Sequence, residues 1–300
     1  MKIHFTRIKE VLTHHAGMAG VGSLIDLTKL KSRLNHTYLT DTPRPAITHG
    51  DVATANLGLL CQGKNDFDHI ETLRDDEWFL RSLGLTAVPS SPTLRQRLDQ
   101  GAQNPAWSSI ILAENAIMLR RSKTPVTPVA VGGKSYLPLD IDVSPFNNSG
   151  TKKEGVSFTY KGFDGYSPIF AYLGREGYAV HAELRAGKDH CQNKTEPFLR
   201  QSIRLARTVT PLPLLVRMDA GNDSRANLKA CMDEKSDFII KRNLRKETPE
   251  FWLAYAKEHA QADVERIGKT VYRGRKELSM TIAQWPFAVQ MVYIVTERTI

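Results

Sequence analysis

Cysteine is scarce in this sequence. Cys61, Cys191 and Cys231 are the only three in 300 residues, and none stands in a CxxC or other zinc-ligating spacing. That argues against a disulfide framework and a structural zinc site, and it fits a reducing compartment. Long apolar runs are missing too. No stretch approaches the ~18 consecutive apolar residues of a membrane-spanning helix, and the opening MKIHFTRIKE lacks the apolar core of a secretion signal. A cytoplasmic protein with no membrane partner is the expectation. Negative charge is in deficit: 32 Asp and Glu stand against 41 Lys and Arg, a formal net charge of +9. Such an excess makes a polyanion, nucleic acid first, the expected partner. The plainer alternative is a basic surface that only maintains solubility.

The rest is an ordinary globular mixture, 41% hydrophobic and 24% charged, long enough for two domains. Residues 1–40 are basic and contain a short apolar segment at Gly22–Leu30. From Thr48 to Leu85 the pattern is helical, with Phe67, Ile70 and Leu73 recurring on one face and Gly63 and Gly84 placed to stop helices. Ser91-Pro92 then reads as a helix N-cap followed by proline, opening a helix with Arg95 and Arg97 exposed near its start. Short helices followed by one with early arginines resemble a helix-turn-helix arrangement, so residues 1–125 are expected to be a helical, DNA-binding domain. A plain helical bundle would give the same pattern.

Residues 122–134 mix Pro, Thr and Gly and read as a linker. The period then changes. Ser135–Val143 alternates like a strand, and Ser167–Leu173 and Tyr178–Leu184 are strand-like runs joined by a Gly174–Gly177 hairpin. A helix over Thr195–Arg207 follows, then the apolar strand Leu212–Met218, a helix capped by Ser224, and a strand at Asp237–Lys241. Three strands in meander, then helix, strand, helix, strand, fit a mixed α/β sheet with helices on its faces. Thr270–Tyr272 and Phe287–Val295 are further strands. The sequence stops on the latter strand, which leads to the expectation of a truncated chain.

Two strand ends carry acids. Asp140 and Asp142 are two apart on one strand and point to one face. Asp219 ends the apolar run and enters a Gly-containing turn. With the first and fourth strands adjacent, Asp142 and Asp219 meet at one edge. Clustered carboxylates repel unless a cation neutralises them. Oxygen ligands favour Mg²⁺ or Mn²⁺, and paired ions ~3.5–4 Å apart suit in-line attack on a phosphodiester. The plain alternatives are a solvated strand-edge Asp140 and a turn-forming Asp219, while Asp223 is expected to help cap the following helix.

LDIDVSPFNNSGTKKEGVSFTYKGFDGYSPIFAYLG, ELRAGKDHCQN, LLVRMDAGNDS and DFIIKRN together resemble bacterial insertion-sequence transposases of the DDE type, in particular transposase DDE domain group 1. The resemblance runs over about residues 40–300. It implies a ribonuclease-H-like catalytic domain over 126–300, with a β-rich insertion from about 265. It also implies a first catalytic acid at Asp142, or Asp140, and a second at Asp219 within Arg217-Met-Asp219-Ala-Gly221. The family's third acid is a Glu on a later helix. This sequence shows none, and Glu297 lies on a strand. The implied metal ligands are Asp142, Asp219 and Asp140, with two Mg²⁺ or Mn²⁺ ions. The implied partners are double-stranded DNA, both the element's terminal inverted repeats and its target, with a homodimer as the candidate assembly on DNA. Bound to DNA, the protein is expected at the nucleoid.

The basic stretch Lys241, Arg242, Arg245 and Lys246 follows a core strand, and Lys152 and Lys153 follow a turn; both groups are candidate phosphate contacts, beside Arg95 and Arg97. His190 beside Cys191 reads as a polar loop or DNA contact, since no third partner for catalysis is visible. The leading expectation is therefore a metal-dependent enzyme that cleaves and transfers DNA strands. The alternatives are a catalytically inactive, DNA-binding transposase fragment, and a nuclease of the same fold that never rejoins DNA.

Overall fold

The computed structural model describes residues 15–39, 45–282 and 285–298. The basic opening residues 1–14 lie outside the described part. The chain divides into two compact units, Met1–Val126 with Arg204–Pro211, and Thr127–Ile203 with Leu212–Ile300.

The first unit is helical: α1 (Met18–Asp26), α2 (Leu30–Asn35), α3 (His49–Cys61), α4 (Glu77–Ser82), α5 (Ser91–Ala102) and α6 (Pro105–Arg121). Local chemistry fixes the boundaries. Thr48, Asp76, Ser90 and Asn104 each accept a backbone N–H from the first turn of the helix they precede. The cap of α5 is thus Ser90, one residue before the expected Ser91. Gly63 and Gly84 sit just past the ends of α3 and α4 at φ +73° and +56°, the left-handed geometry that lets the chain leave a helix. Val52, Leu59, Ile70, Phe79 and Leu94 form the core.

The second unit contains β1 (Val129–Val131), β2 (Lys134–Val143), β3 (Phe146–Asn147), β4 (Ser157–Phe158), β5 (Asp164–Tyr166), β6 (Ile169–Leu173) and β7 (Tyr178–Glu183). It continues with α7 (Thr195–Val209), whose residues from Arg204 on are counted with the first unit, β8 (Leu214–Met218), α8 (Arg225–Asp233), β9 (Asp237–Ile240), α9 (Pro249–His259), β10 (Gln261–Arg266), β11 (Lys269–Ile282) and β12 (Trp285–Arg298). The main sheet has the order β7-β6-β2-β8-β9; β6 and β7 run antiparallel, whereas β8 lies parallel to β2 and β9 parallel to β8. This is the mixed order expected from the sequence, with the first and fourth strands of the meander-and-helix series side by side. Leu137, Leu139 and Ile141 of β2 and Ile169, Leu173, Val180, Phe198 and Val216 are each at most 2% exposed.

Three features differ from the sequence reading. The stretch read as a linker contains β1, folded back on β2 through Gly132 and Gly133 at φ +57° and +80°. Residues 146–166 form a small sheet of their own, in the order β3-β5-β4. The strand expected at Thr270–Tyr272 is far longer, because β11 pairs with β12 along a hairpin from Lys269↔Arg298 to Ile282↔Trp285.

Candidate active site

In the β2–β8 ladder Asp140 faces Arg217, and Ile141 faces Met218. One step further in the same register stand Asp142 and Asp219. Side chains two apart on a strand share a face, so an ion pair and a pair of acids follow one another at this end of the sheet. Arg217 donates from Nε and Nη2 to the two carboxylate oxygens of Asp140, both at 2.5 Å. This bidentate pair occupies the Asp140 carboxylate and holds the Arg217 pKa above its usual value. Asp142 and Asp219 are exposed, and neither forms an ion pair with a described cation.

Both acids are held by short local bonds. The Val143 N–H donates to Asp142 Oδ1 at 2.9 Å, and Asn222 Nδ2 donates to Asp219 Oδ1 at 2.9 Å. Asn222 is 1% exposed, and its backbone carbonyl accepts from Asn227 Nδ2 of α8, so the turn after β8 is fixed to the helix. A methyl at Gly221 would lie 2.9 Å from Cys191 Sγ and 3.3 and 3.4 Å from the Asp219 oxygens, so a larger residue here would displace the Cys191 and Asp219 side chains. The loop before α7 closes over the turn from the other side: Cys191 Sγ and Gln192 Nε2 donate to the Gly221 carbonyl at 3.0 and 2.9 Å.

Tyr160, in the β4–β5 connection, donates from its hydroxyl to the Val143 carbonyl at 3.3 Å. Its pKa is raised by burial of the hydroxyl and then by Asp142, Asp219 and Cys191, so the phenol lies within electrostatic reach of both acids. The Cys191 thiol is raised as well, by burial and then by Asp219. Sequence reading did not single out Tyr160, Gln192, Gly221 or Asn222; only Gly221 had a signal, as the glycine of the motif around Asp219.

The other expected residues fall in three groups. Lys152, Lys153, Lys241 and Lys246 are exposed cations with no ion pair among the described residues. Arg95, Arg242 and Arg245 are already engaged. Arg95 pairs with Asp68 and Asp66 at 3.0 and 3.4 Å. Arg242 joins Asp223 to Glu247 at 3.1 and 2.8 Å, and Arg245 donates to the Asp223 carbonyl at 2.7 Å. Arg97 is a correction: expected at the surface, it is 6% exposed and donates to the Ile47 carbonyl and His49 Nδ1. Its position in α5, one turn after Leu94, turns it into the bundle. Asp223 is a second correction. Ser224 alone caps α8, while Asp223 accepts from Arg242 and the Asn243 N–H. His190 stays in its loop, with Nδ1 accepting from the Gln192 N–H at 3.2 Å. Glu297 pairs with Lys257 and accepts from the Tyr272 hydroxyl. No group of three or more His, Cys, Asp or Glu that could hold a metal occurs among the described residues.

No helix among the described residues is long and apolar enough to cross a membrane. No curated protein matches the chain. Among solved structures it is similar to one described as the cryo-EM structure of piggyBac transposase synaptic complex with hairpin DNA, at 13% identity and a TM-score of 0.34. That likeness covers 86% of this chain and 56% of the other, so the chain spans little more than half the length of that structure. A family model for the transposase DDE domain group 1 matches residues 8–297, nearly the whole sequence. The chain belongs to the transposase DDE domain group 1 family.

Proposed function

We propose that this chain is the DNA-cutting and strand-joining part of a transposase, with Asp142 and Asp219 as its catalytic acids. The observation that carries the reading is the pair itself: two exposed carboxylates at the ends of the adjacent parallel strands β2 and β8, without an ion pair among the described residues while their neighbour Asp140 has one. The donor set, all oxygen and negatively charged, fits a hard divalent ion such as Mg²⁺ or Mn²⁺. Two carboxylates suit one ion; a second would take its remaining ligands from water and substrate. When bound, the metal supplies Lewis-acid stabilisation of charge on the phosphate oxygens.

The residues of the chain then have separable tasks. Asp142 and Asp219 would hold the metal ion at the sheet end, and the Tyr160 hydroxyl, bonded to the Val143 carbonyl, fixes the backbone beside Asp142. A water oxygen adds to phosphorus and the P–O3′ bond breaks, leaving a 3′-hydroxyl and a 5′-phosphate. In joining, the DNA 3′-hydroxyl takes the place of water. Lys152, Lys153, Lys241 and Lys246 contact the DNA backbone, with Arg95 and the Arg242–Arg245 loop as further contacts where their ion pairs leave donors free.

The test is cleavage of element-end DNA, and transfer of a pre-cut 3′ end, in Mg²⁺ and Mn²⁺. Asp142→Asn and Asp219→Asn should each reduce both reactions at least about a hundredfold, the scale of losing one transition-state electrostatic group, with DNA binding retained. Asp140→Asn should keep activity. Cleavage that survives Asp219→Asn removes the reading. Cleavage without transfer leaves a nuclease of the same fold. A second reading, DNA binding without catalysis, is favoured by the count of two acids rather than three among the described residues; binding with no cleavage by the unaltered chain selects it.

A further inference from the structure

Beside the Asp219 turn lies a cleft of about 190 Å³. One wall is the core: Arg225, the first residue of α8, with Arg242 and Arg245 of the loop after β9. The other wall is the hairpin, at Ser279 and Met280 of β11. Asp223 is the only acid in the lining, so three guanidinium groups face one carboxylate. The arginines also have donors to spare. Arg242 Nε is buried without a hydrogen-bond partner. Among the described residues Arg225 uses only Nη1, on the Thr281 carbonyl at 3.3 Å, and Arg245 uses Nη2 toward Asp223. The volume falls below the ~300 Å³ at which small-molecule pockets begin, and it holds a phosphate group with its hydration. Forked guanidinium donors match tetrahedral oxyanions in geometry as well as charge.

We propose that this cleft binds one phosphate, a backbone phosphodiester of the DNA strand near the one being cut, between Arg225 and Arg245 on the core and Ser279 on the hairpin. The source of the phosphate rests on the transposase reading; the oxyanion site itself does not. A phosphate held here joins β11 to the loop that carries Asp223, four residues beyond Asp219. DNA therefore couples the hairpin to the acid-bearing turn.

The experiment has two arms. In the first, the affinity of the full chain for a short fluorescent duplex is measured against salt. Because the arginines converge on one phosphate, Arg225→Gln and the double Arg225→Gln, Arg245→Gln variant should each lower the log–log slope once, by about 0.9, the release for one phosphate. An unchanged slope overturns the proposal, and so does a double variant that loses about twice that amount. In the second arm, thermal unfolding is followed in inorganic phosphate against chloride at matched ionic strength. Phosphate should raise the melting temperature of the native chain more than that of Arg225→Gln, since a site adds stability beyond general salt effects. Equal shifts overturn the site. Phosphate binding with no DNA binding by the native chain retains the oxyanion site and removes the transposase reading. Arg245 touches Asp223, so if its replacement loosens the loop, Arg225→Gln alone decides both arms.

Discussion

His181 shows how one buried side chain ties the stability of the sheet to pH. It is 5% exposed on β7, its ring stacked on Phe198 of α7 at 4.0 Å, with Nδ1 hydrogen-bonded to the Ser202 hydroxyl at 2.9 Å. Burial, with a smaller push from Arg185, lowers its pKa from 6.5 to about 4. The folded state thus keeps the ring neutral where the unfolded chain would protonate it. Above pH 6.5 neither state carries the proton and the stabilisation is complete. As pH falls from about 6.5 toward 4 the unfolded chain gains a proton that the native state refuses, and stability declines. The full drop is of order 3 kcal/mol, at 1.36 kcal/mol per pKa unit. Denaturant unfolding at stepped pH should show His181→Gln with a flatter acid limb over this window. His49 titrates in the same direction, so the readout is the difference between the two proteins. Identical limbs would mean that His181 is protonated in the fold.

At the scale of elements, legibility in the sequence followed how much of an element's stability is its own. β2 and β8 were legible because burial on the sheet imposes an apolar pattern on them, as at Leu214, Leu215, Val216 and Met218. The hairpin at Gly174–Gly177 was legible because both glycines take φ +77°. The acids Asp142 and Asp219 could be read because charge at the end of an apolar strand is out of place. Other parts were hidden for physical reasons. β1 is three residues long, too short for a period, and exists because β2 offers it an edge. The strands that place Tyr160 over the acids are two or three residues each. Arg97 looked like its exposed neighbour Arg95 because a helix face shows only once the partner helices are known. Helix α9 is held from outside: Trp252, 8% exposed, packs on Tyr293 of β12 at 5.4 Å and donates from Nε1 to Glu247 at 3.0 Å. Trp252→Ala should therefore cost about 3–5 kcal/mol, felt first where α9 meets the hairpin. Hydrogen exchange should accelerate in β11 and β12 while the β2–β8 ladder stays protected. Uniform acceleration would show that the hairpin and the main sheet unfold as one.

For the molecule as a whole, the charge balance and the acid pair make opposite demands. A formal net charge of +9 favours polyanions, yet Asp142 and Asp219 stand at the ends of neighbouring strands without an ion pair to a described cation. Arg217, the closest cation in the ladder, is spent on Asp140. Binding of a divalent ion to the native fold alone should therefore stabilise the chain by RT ln(1 + [L]/Kd), about 2.7 kcal/mol at a hundredfold excess over Kd. At roughly 2–4 °C per kcal/mol for a unit of this size, the melting temperature should rise by several degrees between EDTA and Mg²⁺. Asp219→Asn should gain little from Mg²⁺. Ionic strength is matched throughout, so that screening of the remaining acids cancels. If native and variant chains respond alike to Mg²⁺, the acids are not a metal site and Asp219 acts only as a turn residue.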